Sequence, residues 1–169
     1  MRIVFVHSRK AFLPGIHAYT DFFSRYGIEC ATATPETFRQ MKRDVEWFFM
    51  GTDRFPRTKG ILRVHEYASS SLPPFSRQKD LMKRMLNQRP DFRIFQNEFI
   101  RERIGFSDAI PYGFRTPCLS GCWLEPNSIV EKEYDFIYTG DVSKQRRIEQ
   151  LLDHFSGPLK YHRLLVVSM

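Results

Sequence analysis

RIVFVHSRKAFLPGIHAYTDFFSRYG, Arg2–Gly27, decides the fold. Its first six residues form a near-continuous β-branched and aromatic run, the pattern of a strand buried on both faces of a parallel sheet. Ser8–Pro14 then reads as a loop. From Gly15 to Tyr26 the apolar residues Ile16, Tyr19, Phe22, Phe23 and Tyr26 recur at helical spacing, and Gly27 stops the helix. The same strand–loop–helix rhythm continues outward. Strands are expected at Ile28–Ala33, Val45–Met50, Ile61–Tyr67, Phe92–Gln96 and Ala109–Tyr112. Helices are expected at Pro35–Arg43, Arg77–Gln88 (with Leu81, Met82, Met85 and Leu86 inside) and from Asn97 or Glu98 to about Ile104. Strands alternating with helices imply an α/β fold, a Rossmann-like parallel sheet flanked by helices. Right-handed crossovers place the C-terminal ends of such strands on one edge, where ligands bind.

Phe114–Ile129 is irregular, and Pro126–Glu133 reads as a linker. Beyond it, YDFIYTGDVSKQRRIEQLL (Tyr134–Leu152) is a strand, a turn at Gly140-Asp141 and a helix from Ser143 to Phe155. A glycine turn feeding a helix N-terminus is suited to phosphate, and Lys144, Arg146 and Arg147 add charge there. Arg163–Val167 is a second strand. The expected division is a Rossmann-like domain over 1–130 and an incomplete β-α-β piece of a second domain over 131–169. A two-stranded unit leaves both edges open, so this piece is expected to dock on the first domain or to pair with another copy in a homo-oligomer.

The net charge is +7, and residues 1–130 hold all of the excess, with 20 Lys and Arg against 13 Asp and Glu. That points to anionic partners: a membrane surface, sugar phosphates or nucleic acid. The basic residues are scattered among acids with no binding motif, so nucleic acid is set aside. No run of 18 apolar residues occurs, and the N-terminal run reads as a strand rather than a signal peptide. Three cysteines, Cys30, Cys118 and Cys122, make no disulfide framework, and a reducing cytoplasm is expected. Cys118 and Cys122 lack two further ligands at zinc spacing and read as structural thiols. G-x-G-x-x-G, G-x-S-x-G and Asp-x-Asp patterns are absent, which removes support for a dinucleotide fingerprint, a serine nucleophile elbow and a metal–diphosphate clamp.

Two places remain where chemistry could reside. The loop after the first strand, with His7, Ser8, Arg9 and Gly15, can hold an anion or a hydroxyl-rich acceptor. His65-Glu66-Tyr67, followed by Ser69, Ser70 and Ser71, sets polar groups where a buried strand reaches the ligand edge; buried ionisable groups are costly unless paired or used.

VHEYASSS (64–71), FRIFQNEF (92–99), AIPYG (109–113) and YDFIYTGDVSKQRRIEQLLDHF (134–155), in this order, resemble bacterial glycosyltransferases of the GT-B fold, the retaining family numbered four in particular. The resemblance runs over roughly the whole chain. It implies an acceptor-binding N-terminal domain and a C-terminal domain that binds a nucleotide-sugar donor, with a glycan or lipid-linked acceptor and no metal or other cofactor. It implies work in cell-surface polysaccharide assembly; the cysteine and charge readings add the cytoplasm and peripheral contact with the inner face of an anionic membrane. The resemblance sets catalysis at His65, with its neighbour Glu66, and gives the donor phosphates to Gly140, Lys144, Arg146 and Arg147. With the N-terminal domain on the acceptor side, the sheet-edge residues His7, Ser8, Arg9, Gly15, Ser69 and Ser70 are the candidates for holding the acceptor. Asp141 falls where many members carry an arginine, a position for which Lys144 or Arg147 substitutes. The family's donor domain is much longer than 131–169, which therefore reads as its truncated start. The alternative is a non-catalytic α/β module that binds an anionic ligand or a partner protein.

Overall fold

The computed structural model describes residues 1–8, 13–49, 53–71, 74–116, 133–140, 142 and 147–167. The chain divides into two compact units, Met1–Glu125 and Pro126–Met169.

The first unit is α/β. Its strands are β1 (Arg2–Val6), β2 (Glu29–Ala33), β3 (Val45–Phe49), β4 (Leu62–Tyr67), β5 (Phe92–Phe95) and β6 (Tyr112–Phe114). They form one sheet in the order β2-β1-β3-β4-β5-β6, and every pairing is parallel. The chain moves outward from β1 in both directions, so the order reverses between β1 and β3. In doubly wound sheets the crevice above that switch point is where ligands bind.

Register fixes which side chains share a face, because paired residues in parallel strands point the same way. Ile3 and Phe5 of β1 align with Val45 and Trp47 of β3, and Val45 and Trp47 align with Leu62 and Val64 of β4. Helix α1 (Pro14–Ser24) covers this face, where Ile16 joins Ile3, Phe5, Val45, Trp47 and Phe49 in one core, with Tyr19 and Phe23 packed against it. Pro14 opens the helix at the position where a missing N–H is harmless. On the opposite face Val4 and Val6 align with Glu46 and Phe48, which align with Arg63 and His65; His65 and Tyr67 align with Arg93 and Phe95. Phe38 closes one end of that face, and α3 (Glu98–Ile104) closes the other with Ile100 and Ile104.

Three elements depart from the sequence reading. The helix expected at Pro35–Arg43 is only a 3-10 turn, Phe38–Gln40. Thr37 Oγ1 accepts from the Thr34 N–H, and Arg43 Nη1 donates to the carbonyls of Phe38 and Met41, so side chains take backbone groups that a helix would have used. Strand six lies at Tyr112–Phe114 rather than 109–112, because Pro111 has no N–H for the ladder and only its carbonyl serves, accepting from Arg93 N. Helix α2 (Ser76–Leu86) exists where expected but faces the other way. Leu81, Met82, Met85 and Leu86 are 40–72% exposed, and the residue buried from this helix is Asp80. Asp80 accepts from Ser71 N at 3.0 Å and from Arg103 of α3 at 3.4 Å.

In the second unit β7 (Phe136–Thr139) pairs in parallel with β8 (Leu164–Val167), and α4 (Ile148–Ser156) makes the crossover. Phe136 packs edge-on against Phe155 and His162. The expected opening of this helix at Ser143 lies outside the described residues; α4 is described from Ile148, with Arg147 before it in the left-handed region at φ 52°.

Candidate functional site

The sequence of β4, Leu-Arg-Val-His-Glu-Tyr, alternates across the sheet, so neighbours in sequence are strangers in space. Arg63, His65 and Tyr67 point to the α3 side. Glu66 points to the α1 side. His65 and Glu66 therefore belong to two different constellations.

On the α3 side the chain buries a ring of charges. Arg63, fully buried, donates through Nε to Glu46 at 2.5 Å and through Nη1 to Asp53 at 2.9 Å and to the Phe55 carbonyl at 2.8 Å. Arg43 Nε holds the other Glu46 oxygen at 3.0 Å. His65 Nε2 lies 2.9 Å from Asp53 Oδ2, and Nδ1 lies 3.3 Å from the Tyr67 hydroxyl. Asn87 closes the ring: its Nδ2 donates to the Tyr67 hydroxyl and its Oδ1 accepts from Asp53 N. Burial pulls the His65 pKa below its usual value despite the neighbouring carboxylate. A neutral imidazole then fits only as the Nε2–H tautomer, donating to Asp53 and accepting from Tyr67. Burial also pushes the Tyr67 phenol up to about 12, which keeps it a donor.

On the α1 side, Glu66 lies at the C-terminal edge of the sheet with every acceptor site addressed. Oε1 accepts from Arg115 Nε at 2.6 Å; Oε2 accepts from Trp47 Nε1 at 3.0 Å and from the Tyr19 hydroxyl at 3.2 Å. Burial raises the Glu66 pKa, and the Arg115 guanidinium works against that rise. Arg115 follows β6 and reaches back across the sheet to lie beside the first turn of α1. A β-carbon on Gly15 would sit 3.6 Å from both terminal guanidinium nitrogens, an ordinary contact distance that places the cation against the helix start. Among the described residues, no side chain caps that N-terminus, since the N-cap position is Leu13. A cation beside the positive end of a helix dipole is unfavourable on its own. The arrangement favours an anion or an electron-rich oxygen above it.

His7 and Ser8 stand at the end of β1 on this edge, and the His7 N–H donates to Ala33 O. Gly15 lies against Arg115. Ser69 and Ser70 are half-buried in the loop after β4. Arg9 lies outside the described residues, as do Lys144, Arg146, Asp141, Cys118 and Cys122. Of the donor-phosphate residues, Gly140 and Arg147 belong to the second unit. The Gly140 N–H donates to Val167 O, and Arg147 is exposed. The described residues contain no group of three His, Cys, Asp or Glu able to hold a metal ion, and no helix long and apolar enough to cross a membrane.

Arg115, Tyr19 and Trp47 around Glu66, and Asp53 and Asn87 around His65, are partners that sequence reasoning missed. Arg115 carried one usable signal. It is the residue that leaves the last strand of the sheet, the same edge position that drew attention to His7 after the first. Comparison with protein-family models, with curated proteins and with solved structures finds no match for this chain.

Proposed function

We propose that Met1–Glu125 is the acceptor-side domain of a sugar-transferring enzyme of the GT-B kind, with its ligand seated above the β1/β3 switch point. The observation that carries this reading is the Glu66–Arg115 pair held against the start of α1 at Gly15, which no side chain caps among the described residues. Glu66 acts as a positioning residue: it neutralises and aims Arg115. Arg115 and the Gly15 N–H then meet the anionic or hydroxyl-rich group of a glycan or lipid-linked acceptor. His65 is walled in on the other face with both ring nitrogens engaged, and it supports the strand end through Asp53 and Tyr67. Donor binding, with Gly140 and Arg147 near the nucleotide-sugar phosphates, belongs to the same proposal and needs no metal.

The enclosure of His65 is the specific observation favouring the second reading, a non-catalytic module for an anionic ligand. Calorimetry of the full chain against UDP- and GDP-sugars, glycan acceptors and inorganic phosphate separates the two. Transferase function expects binding of a sugar nucleotide or a glycan, with Arg115→Met weakening glycan binding about tenfold or more, the loss of one charge-assisted hydrogen bond. Binding of phosphate alone, lost in Arg115→Met, selects the module. No binding of any of these overturns both.

A further inference from the structure

Helix α2 is amphipathic in the reverse sense for a helix packed on a sheet. At about 100° per residue, Leu81, Met85, Met82 and Leu86 span an arc of roughly 140° that faces outward, while Ser76, Asp80 and Lys83 occupy the opposite arc. The inward arc is the polar one: Asp80 is buried against Ser71 N and Arg103, and Lys83 is largely covered beside it. Arg77 and Arg84 border the apolar stripe on one side and Lys79 borders it on the other, all three exposed. An exposed apolar stripe costs solubility unless something covers it. The charged residues of α2 that border this one are Arg77, Lys79 and Arg84, within the part of the chain that carries the whole +7 excess.

We infer that α2 lies in the surface of an anionic lipid bilayer, with Leu81, Met82, Met85 and Leu86 in the acyl boundary and the flanking Arg and Lys heads among the phosphates. Long basic side chains suit that geometry because their stems follow the apolar surface while the charges stay at headgroup level. Phe75, exposed immediately before the helix and held in the left-handed region at φ 63°, adds an aromatic ring at the entry to the stripe. The stripe and its rim are independent of the chemistry proposed for Glu66 and Arg115.

The test is sedimentation of the full chain with phosphatidylcholine vesicles, with and without about one-third phosphatidylglycerol. The chain is expected to sediment with the anionic vesicles alone, and less as salt rises. Arg77→Gln with Arg84→Gln should weaken partitioning about fivefold per charge, and Leu81→Gln with Met85→Gln at least about tenfold. Circular dichroism should be unchanged in both, since Arg77, Leu81 and Met85 are exposed and Arg84 gives up one exposed hydrogen bond, to the Gly105 carbonyl. Should the apolar double variant not fold, Met85→Trp serves instead: its emission should shift to the blue on anionic vesicles and be quenched by brominated lipid. Wild-type chain that stays in the supernatant at low salt overturns the inference, as does equal binding by folded variants or a Met85→Trp signal blind to lipid. A dimer that the Leu81→Gln and Met85→Gln pair dissolves, with no lipid binding, assigns the stripe to a second copy and overturns it too.

Discussion

On the α1 side of the sheet, Phe5, Tyr19, Phe23, Trp47 and Phe49 stack into an aromatic layer, with ring centroids 4.7–6.4 Å apart, and one carboxylate, Glu66, stands at its rim. On the other side Glu46, Asp53, Arg63, His65 and Arg93 occupy the same depth and are just as buried. Both faces are fully packed, yet different forces hold them. The aromatic layer is stabilised by burial of area, which is non-directional and tolerant. The charged layer is stable only as a completed set, since each ion was desolvated on folding and is compensated by its neighbours.

The largest expected effect tests that contrast directly. Arg63→Met leaves Glu46 and Asp53 buried without their shared cation and should cost about 3–5 kcal/mol, read from urea denaturation. A loss below about 1 kcal/mol would erase the distinction between the faces. Phe5→Ala, its counterpart in the aromatic layer, should cost about 3–5 kcal/mol as well. That loss should be the same at mildly acid and mildly alkaline pH, because no titrating group is touched.

Adjacent residues on β4 then predict opposite pH slopes. The folded pKa of His65 is depressed, so the unfolded chain binds its proton first, and stability falls as pH drops below 6.5. The slope is at most about 1.4 kcal/mol per pH unit, and His65→Gln should flatten it. The folded pKa of Glu66 is raised, so its contribution is complete below 4.5 and is lost as pH rises through the elevated value. Glu66→Gln should remove that decline. Thermal melts of the two variants across pH 4–8, compared with wild type, measure both; slopes of the same sign would break the assignment of these neighbours to separate environments. The smallest effect belongs to the α3 cap. Asn97 Oδ1 accepts from Ile100 N at 3.0 Å, and Asn97→Ala should cost about 1 kcal/mol, detectable as a small fall in the urea midpoint.

The sheet was legible in the sequence because RIVFVH, VEWFFM and ILRVHEY are apolar or β-branched at the density that central strands require. The direction of α2 was not. Periodicity in SRQKDLMKRML shows that the helix has an apolar side, but says nothing about which side meets the sheet. Asp80 decided that through Ser71 and Arg103, contacts too distant for local pattern to reveal. The separation of His65 from Glu66 was readable, since residues one apart on a strand point to opposite faces. The chemistry suggested by His-Glu concealed it. Asp53 and Arg115 lay beyond reach for another reason: each acts from a loop or strand end, across 12 residues to His65 and 49 to Glu66.

The closed ring around Arg63 also bears on how the sequence can change over generations. A single substitution at Glu46, Asp53, Arg63 or His65 strands a partner, so almost every one-step path crosses a less stable intermediate. These four positions should therefore be exchanged together or not at all, and the apolar positions facing them across the sheet should drift independently. The exposed stripe on α2 lies outside that constraint and is free to vary as fast as whatever covers it allows.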